Sequence, residues 1–327
     1  MPSRLTIGVP DDFVLARDCC SYGYFLLHPN HWDPRTRVFS RVLHLADGAI
    51  TGVRVVQSGD EGTRPWRELR GRPLLTTTNA ALTRPQRVLV QQQVTRMLRL
   101  DEDAEHIAAF HRLDPRWKRT GRGRLFRSPT MFEDVIKTVT SCNVHWPSTI
   151  TMNRRLCAVV GEGGGFPSPA RLSRTRAATL RARCRTGYRD ARMIELARVF
   201  RPRGKRPPEM DPAWFEDPGT SDEAVRDALL ELPGIGPYAA ANIMQLLGRY
   251  AHLPLDSESV RHGRSILGLG GSDKQVMKLI DVRFEPFGAH KFRSYWFELW
   301  RFYEVKRGRS DTWDRETTGA SFTASQF

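Results

Sequence analysis

The spacing of hydrophobic residues changes near residue 80. Before that point, apolar residues form short runs rich in Val, Leu and Ile at 37–46 and 49–57, separated by Asp47-Gly48. An Asp-Gly pair between two such runs is a strong signal for a hairpin turn. Further strand candidates are residues 12–16, 22–27 and 74–78. This order predicts a small antiparallel sheet at the start of the chain.

From Thr83 onward the apolar residues recur with the period of an α-helix. Thr83 and Ser221 each precede such a segment, and a third segment has two candidate caps, Ser128 before Pro129 and Thr130 in the pattern Thr130-x-x-Glu133. They are predicted N-caps, because a hydroxyl oxygen can accept a hydrogen bond from a first-turn N–H group. Asp101 is predicted to start a further helix in the same way.

The helical pattern ends near Lys306, and the residues beyond it are polar and without a period. We therefore predict an α+β fold that is mostly α. It has an antiparallel β domain at 1–82, a helical domain at 83–306 and a disordered tail at 307–327.

Positive charge is concentrated in two stretches of the chain. The net charge is +15, with 51 basic against 36 acidic side chains. Residues 116–127 contain six basic and no acidic residues, and residues 171–206 contain thirteen basic residues but only Asp190 and Glu195 as acids. Clustered positive charge favours a polyphosphate partner through counterion release and steering, so we expect nucleic acid binding.

The composition also excludes several classes of protein. No apolar run approaches the roughly 18 residues of a membrane helix, and no signal-peptide segment is visible. The cysteines form no CxxC pair, which argues against a disulfide framework, a zinc ribbon or a compact iron–sulfur motif. We expect a soluble, cytoplasmic or nucleoid-associated protein (nuclear in a eukaryote) without membrane contact or a metal site.

The segment 232–238, Leu-Pro-Gly-Ile-Gly-Pro-Tyr, carries the densest local signal. Gly234 and Gly236 frame Ile235, and a helix is predicted to start at Pro237. Glycines permit positive φ and remove side-chain bulk, so successive N–H groups beside a helix N-terminus could bind one anion. A tight turn between any two helices can look the same, and the segment alone is therefore weak evidence.

Asp256 stands twenty residues after Gly236, directly after the apolar segment 253–255 and at a predicted helix start. A helix N-terminus favours an ionised carboxylate. Taken alone, however, Asp256 is read more simply as an N-cap.

The hairpin and Asp256 together resemble the helix-hairpin-helix DNA glycosylase superfamily, the HhH-GPD group. Residues 228–261 carry the most specific part of the match. Residues 126–157 resemble the first core helices of the 8-oxoguanine branch, and residues 180–197 resemble the helix junction that follows. The N-terminal β domain fits the 8-oxoguanine and alkylbase branches, so the resemblance covers most of the chain.

The resemblance implies roles for individual residues. Asp256 would be the catalytic carboxylate, Asn143 would fill the space left by a flipped nucleotide, and the hairpin would grip the DNA backbone. Tyr238, whose matching position faces the catalytic pocket in the family, would contact the substrate base. Trp146 and Trp296 are further candidates for stacking on that base because they are aromatic. The remaining DNA-binding candidates are Gly234, Ile235, Gly236, Pro237, Arg189 and Arg261.

Tyr238 occupies the position of the lysine that forms a Schiff base in family members with lyase activity. A phenol cannot form an imine with a sugar aldehyde, so we expect a monofunctional enzyme. It would hydrolyse the bond between a damaged base and deoxyribose in base-excision repair. The leading substrate is an alkylated purine, and 8-oxoguanine, uracil or mismatched thymine stay open as alternatives.

The expected partner is double-stranded DNA containing a damaged base, bound by a monomer. No cofactor is expected, although a monovalent cation at the hairpin carbonyls is left open. A different class also fits the sequence, because helix-hairpin-helix elements occur in non-catalytic DNA-binding or damage-sensing proteins. In those proteins Asp256 would act only as a cap.

Overall fold

A computed structural model describes residues 1–45, 48–202 and 207–318. Its N-terminal part forms one five-stranded antiparallel sheet, in the order β1-β5-β4-β3-β2. The strands are β1 (Arg4–Ile7), β2 (His31–Asp33), β3 (Val38–His44), β4 (Ile50–Gln57) and β5 (Leu74–Thr78). The predicted antiparallel sheet followed by helices is therefore confirmed.

The central hairpin of the sheet pairs β3 with β4. Phe39 lies opposite Val55, and His44 lies opposite Ile50. Of the predicted turn, Gly48 has a φ of +78°, and Asp47 lies outside the described residues. The pairing register agrees with the hairpin predicted from the two apolar runs.

Two predicted strands are wrong. Residues 12–16 overlap helix α1 (Leu15–Cys19), and residues 22–27 contain a 3-10 turn at Gly23–Leu26. Every residue of α1 is buried. A short segment buried on all sides shows no polar face, so its sequence cannot distinguish a strand from a helical turn. The strands β1 and β2 are short and were missed.

Fourteen further helices follow in the described chain. They are α2 (Trp66–Leu69), α3 (Arg84–Leu98), α4 (Ala104–Leu113), α5 (Met131–Ser141), α6 (Trp146–Val159), α7 (Pro169–Leu172), α8 (Ala177–Thr179), α9 (Asp190–Val199), α10 (Pro212–Glu216), α11 (Asp222–Leu230), α12 (Pro237–Leu247), α13 (Ser257–Ser265), α14 (Asp273–Phe284) and α15 (Lys291–Arg307). None of the helices in the described residues is long and apolar enough to cross a membrane.

The predicted helix starts are largely correct. The hydroxyl groups of Thr83 and Ser221 each accept a hydrogen bond from a first-turn N–H group. For α5 the cap is Thr130, and the candidate cap at Ser128 is wrong. The cap expected at Asp101 is wrong by two residues, because Asp103 accepts the hydrogen bond from the His106 N–H group. The cap side chain and its partner are neighbours in sequence, which makes these starts predictable.

The hydrophobic core has two parts that do not follow the boundary at residue 82. One part joins the sheet to α3 and α15, and includes Phe39, Phe126 and Trp300. The other lies among α5, α6, α9, α11 and α12, and includes Ile235 and Ile243. The sheet therefore packs on the C-terminal helix, and α15 lies on the first part of the core.

Part of the predicted tail is folded. Trp313 is 1% exposed, and its ring lies 5.0 Å from that of Trp300. The indole of Trp32 donates to the carbonyl oxygen of Asp311 across 2.8 Å. A buried indole brings enough apolar surface to hold this segment on the sheet and α15. Residues 319–327 lie outside the described part.

Candidate active site

A cavity of about 230 Å³ lies where the N-terminal segment, α6, α12, α13 and α15 meet. Nine aromatic side chains line it: Tyr22, Tyr24, Trp146, Tyr238, Phe292, Tyr295, Trp296, Trp300 and Tyr303. It is also lined by Asp256 and Glu258, and no lysine or arginine is among the described lining residues. The cavity is therefore π-rich and bears negative charge.

Helical spacing explains why α15 supplies so many of these rings. Phe292, Trp296, Leu299 and Tyr303 recur every three or four residues, so they share one face. On the opposite wall, the indole of Trp146 lies against the backbone of Gly23. A Cβ atom at Gly23 would come within 3.1 Å of that indole, so the absence of a side chain permits this approach.

Asp256 caps α13 and also faces this cavity. Its Oδ1 atom accepts hydrogen bonds from the N–H groups of Glu258 and Ser259, each at 3.0 Å. Its Oδ2 atom accepts a hydrogen bond from the phenol of Tyr238 at 2.9 Å. The interpretation of Asp256 as an N-cap is correct. Only the Oδ1 atom makes the cap, and the Oδ2 atom, which is bonded to Tyr238, lies beside the cavity.

The surroundings of Asp256 change its acidity. Burial raises the pKa of the Asp256 carboxyl above its ordinary value, and the nearby Glu258 carboxylate raises it further. Hydrogen bonds from the Ser259 N–H group and the Tyr238 hydroxyl lower this pKa, but they do not cancel the effect of burial. Burial and the Asp256 charge hold the pKa of the Tyr238 phenol far above its ordinary value. Tyr238 therefore stays protonated and acts as the donor in this pair.

Glu258 forms a second acidic group in the wall of the cavity. Its Oε1 atom accepts a hydrogen bond from the Nε–H group of Arg261 at 2.9 Å, and the Tyr303 hydroxyl also donates to it. The Arg261 guanidinium lies over the Phe302 ring, 4.8 Å from its centroid. The Arg261 side chain is thus engaged with Glu258 and the rings beside it, and its contact with DNA stays a prediction.

The predicted hairpin forms between α11 and α12. Gly234 has a φ of +76°, Ile235 is 5% exposed and Gly236 is the N-cap of α12. A Cβ atom at Gly234 would lie 2.5 Å from the Cδ atom of Arg192, whereas one at Gly236 would meet no atom within 4 Å. Gly234 makes the turn, and exposed Gly236 and Pro237 leave the outer backbone accessible.

Asn143 lies in the turn after α5, with a φ of +52° and an exposed side chain. Its amide donates a hydrogen bond to the Tyr188 hydroxyl at 3.3 Å. The Tyr188 ring is 54% exposed and lies 4.4 Å from the Arg189 guanidinium and 5.5 Å from that of Arg192. Tyr188 was not among the predicted site residues, although the Gly187-Tyr188-Arg189 run was part of the resemblance.

Arg189 supports this turn from inside. It is 5% exposed and donates to the carbonyl oxygens of Val139 and Cys142. These are orphan carbonyl groups at the C-terminus of α5, where a cation is favourable. Its guanidinium is buried against backbone oxygens, and a contact between Arg189 and DNA stays a prediction.

The structure brings the predicted residues together in two groups. Asp256, Tyr238 and Trp146 line the same cavity. The second group, outside the cavity, contains the hairpin and Asn143. Arg192 connects them, because it packs against Gly234 of the hairpin and against Tyr188, which bonds to Asn143.

The two basic stretches differ in how many of their side chains form ion pairs. In residues 116–127, four of the six cations pair with carboxylates: Arg116 with Asp114, Arg122 with Glu304, Arg124 with Asp12, and Arg127 with Asp101. In residues 171–206, several exposed arginines have no ion-pair partner among the described residues; they are Arg174, Arg176, Arg183, Arg185, Arg192 and Arg198. Of these arginines, Arg192 lies beside both Tyr188 and the hairpin.

Metal chemistry has no visible site in the described ranges, which contain no cluster of three or more His, Cys, Asp or Glu side chains suited to an ion. A cation at the hairpin carbonyls stays a prediction.

No protein-family model and no curated protein matches the chain. Solved structures do match. The 3-methyladenine DNA glycosylase from Archaeoglobus fulgidus superposes with a TM-score of 0.61 at 19% identity, covering 93% of this chain and 99% of that one. MBOgg1 in complex with a low-affinity DNA ligand gives 0.65 at 18% identity, covering 93% and 97%.

A third match is the 8-oxoguanine glycosylase/lyase of Clostridium acetobutylicum in complex with double-stranded DNA containing cytosine opposite 8-oxoguanine. Its TM-score is 0.60 at 17% identity, with 94% of this chain and 99% of that chain covered. Identities this low establish the architecture alone. The chain therefore has the fold of the 3-methyladenine and 8-oxoguanine DNA glycosylases, which confirms the resemblance at the level of fold.

Proposed function

We propose that this chain is a monofunctional DNA N-glycosylase that excises a damaged base in base-excision repair. The observation that carries the proposal is the Asp256 carboxylate in the wall of an aromatic cavity, held there by Tyr238 at 2.9 Å. The fold shared with known DNA glycosylases supports it. A cap without a catalytic role would not need a lined cavity beside its second oxygen.

The cavity accepts the base in the proposed reaction. Enzymes that act on a base in duplex DNA take it out of the stack and hold it between aromatic or apolar side chains. Trp146, Tyr238 and Trp296 present such surfaces here. Asn143, in the turn after α5, and Tyr188, in the 3-10 turn at Gly187–Arg189, are both exposed and would contact the bases left in the duplex.

Asp256 supplies the electrostatic part of the chemistry. Breakage of the C1′–N bond leaves positive charge on the deoxyribose, which an ionised carboxylate stabilises. Water then adds to C1′, and Asp256 orients this water and accepts the proton that it loses, which passes on to solvent. The two backbone N–H groups and the Tyr238 hydroxyl hold the carboxylate in place for this step.

The absence of an amine supports the monofunctional reaction. Imine formation at C1′ needs a primary amine, and no lysine is among the described residues that line the cavity. Tyr238 offers only a phenol, which is already engaged with Asp256. The product would therefore be an intact strand with an abasic site.

An alkylated purine is the substrate that the cavity favours. Alkylation of a ring nitrogen gives the purine a positive charge, and the faces of aromatic rings attract cations. Asp256 adds negative charge, whereas the charge of Glu258 is offset by its ion pair with Arg261. The base 8-oxoguanine is neutral, so the aromatic faces and the carboxylate charge would add no cation-binding energy for it.

The backbone of the DNA would lie along the hairpin and the second basic stretch. Gly236 stands at the N-terminus of α12, and the exposed Arg192 packs against Gly234 of the same hairpin. Helix N-termini and arginines are both common phosphate ligands.

The test is a base-release assay on labelled duplexes that each carry one lesion: 3-methyladenine, hypoxanthine, 8-oxoguanine, uracil or thymine opposite guanine. Each reaction is run with and without hot alkali, beside Asp256→Asn. We expect release of the alkylated base, with strand breaks only after alkali and no release by the variant. Strand breaks without alkali, or a complex trapped by borohydride, would contradict the monofunctional assignment. Tight binding without release from any duplex would instead support a damage-sensing protein.

A further inference from the structure

A second, larger cavity lies on the other side of α15. Its volume is about 820 Å³, and it shares no lining residue with the aromatic cavity. Arg301 and Glu304 of α15 line it. At about 100° per residue, Arg301 lies roughly 160° around the helix axis from Leu299, which faces the aromatic cavity. The proposed reaction makes no use of this space.

The second cavity is strongly cationic. The basic side chains that line it are Arg17, Arg67, Arg70, Arg116, Lys118, Arg119, Arg122, Arg301 and Arg309. Its two acidic lining residues are already engaged, since Asp12 pairs with Arg124 and Glu304 pairs with Arg122. The first basic stretch of the sequence therefore contributes to a cavity away from Tyr188 and the hairpin.

Five of these cations have no partner in the described structure. Arg17, Arg116, Arg122 and Arg309 each pair with a carboxylate. Arg67, Arg70, Lys118, Arg119 and Arg301 are exposed, and none of them makes a side-chain ion pair or hydrogen bond among the described residues. Like charges around one concave space repel each other and raise the local concentration of anions.

One neutral group also favours an anion. The Nε1–H group of Trp66, which lines the cavity, is buried without an acceptor, and the Arg309 guanidinium covers the Trp66 ring at 4.1 Å. The Oδ1 atom of Asp12 is buried without a donor and opposes an anion, but the ion pair between Asp12 and Arg124 offsets this charge.

We infer that this cavity binds a small polyphosphate anion, of the class of tripolyphosphate or a nucleoside triphosphate. Its volume lies within the roughly 300–1,000 Å³ of small-ligand pockets. Segments from four parts of the chain enclose it, which suits a compact anion, whereas a duplex presents its phosphates on a convex rod. Guanidinium groups bind phosphate oxygens in a bidentate manner, and several could do so here at once.

The experiment uses the full chain and two probes, sodium tripolyphosphate and ATP without magnesium. Binding is followed by calorimetry and by thermal denaturation. The cavity variant is Arg119→Ser with Arg301→Ser. The matched control is Arg84→Ser with Arg283→Ser, which removes the same charge from exposed residues that line neither cavity.

At a probe concentration of about 100 times Kd, we expect Tm to rise by roughly 5 °C in the wild type and the control. The cavity variant should bind the probe roughly 100-fold more weakly. Equal binding by the cavity variant and the control, or no binding by the wild type, would overturn the inference. So would a cavity variant that loses duplex affinity but keeps its affinity for tripolyphosphate.

The inference does not depend on the proposed glycosylase reaction. Base release is measured on the same variants, and we expect the cavity variant to retain it because neither residue lines the aromatic cavity. A chain that binds tripolyphosphate but releases no base would refute the proposed function alone.

Discussion

The phenolic hydroxyl of Tyr238 donates a hydrogen bond to the Oδ2 atom of Asp256 across 2.9 Å, which joins the first turn of α12 to the start of α13. Tyr238, which the resemblance predicts to stand in place of a lyase lysine, thus holds the proposed catalytic carboxylate. Tyr238 acts as a positioning residue in this arrangement, and its hydrogen bond also affects the protonation of Asp256.

Asp256→Asn should lower single-turnover base release by about 100-fold or more, because the amide cannot stabilise positive charge on the sugar. Asn can still accept the first-turn N–H groups, so affinity for lesion DNA should be kept. Both are measured with the same labelled duplex. Undiminished release would remove Asp256 from the mechanism.

The same variant should be more stable than the wild type at neutral pH. The pKa of Asp256 is raised in the folded state, so its ionisation favours unfolding as the pH rises through that pKa. Below it, the wild-type carboxyl is protonated and the difference should vanish. Thermal denaturation of both proteins across pH provides the measurement, and a variant less stable at neutral pH would contradict the pKa direction.

Tyr238→Phe should move the acid limb of the pH–rate profile to higher pH. Activity requires ionised Asp256, and the lost hydroxyl is one of the groups that lower its pKa. Tyr24→Phe is the matched control, since Tyr24 lines the same cavity but bonds to Thr138 instead. If both variants keep the wild-type profile, the hydrogen bond has no role in catalysis.

The two hairpin glycines should respond differently to alanine. Gly234→Ala should lower stability by about 1–2 kcal/mol, because alanine disfavours a φ of +76° and its Cβ atom would meet Arg192. Gly236→Ala has open space, so the fold should be unaffected while duplex affinity falls roughly tenfold. Thermal denaturation and a binding titration separate the two effects. Full affinity in Gly236→Ala would argue against close approach of DNA at this glycine.

Tyr188→Ala should weaken binding to lesion DNA roughly tenfold through lost stacking, with an unchanged Tm because the ring is 54% exposed. Tyr188→Phe keeps the ring and loses only the bond to Asn143, so it should bind more tightly than the alanine variant. Equal affinity of wild type and Tyr188→Ala would exclude a contact between this ring and DNA.

Arg189→Lys should lower stability by about 1–3 kcal/mol, because lysine cannot replace the guanidinium fork on the carbonyl groups after α5. The slope of log affinity against log salt should not change, since Arg189 is buried. Arg183→Ser, an exposed change, should instead reduce that slope by about 0.9 without lowering Tm. A reduced slope in Arg189→Lys would instead show that Arg189 contacts a DNA phosphate.

Local features were predictable from sequence because their partners are neighbours along the chain. The caps at Thr83, Thr130 and Ser221 bond to groups three residues away. Errors arose where burial removes the polar face that identifies a period, as in α1 and the turn at Gly23–Leu26.

The sequence by itself determined the sheet-then-helix order, the hairpin at 232–238 and the spacing of Asp256, since each depends on short-range geometry or a recognisable motif. Only the tertiary structure decided what those residues meet. It placed Tyr22 4.7 Å from Trp296, and it engaged Arg189 and Arg261 with internal partners. Charge counts and periodicity cannot specify such contacts, because desolvation and pairing depend on residues far apart in the chain.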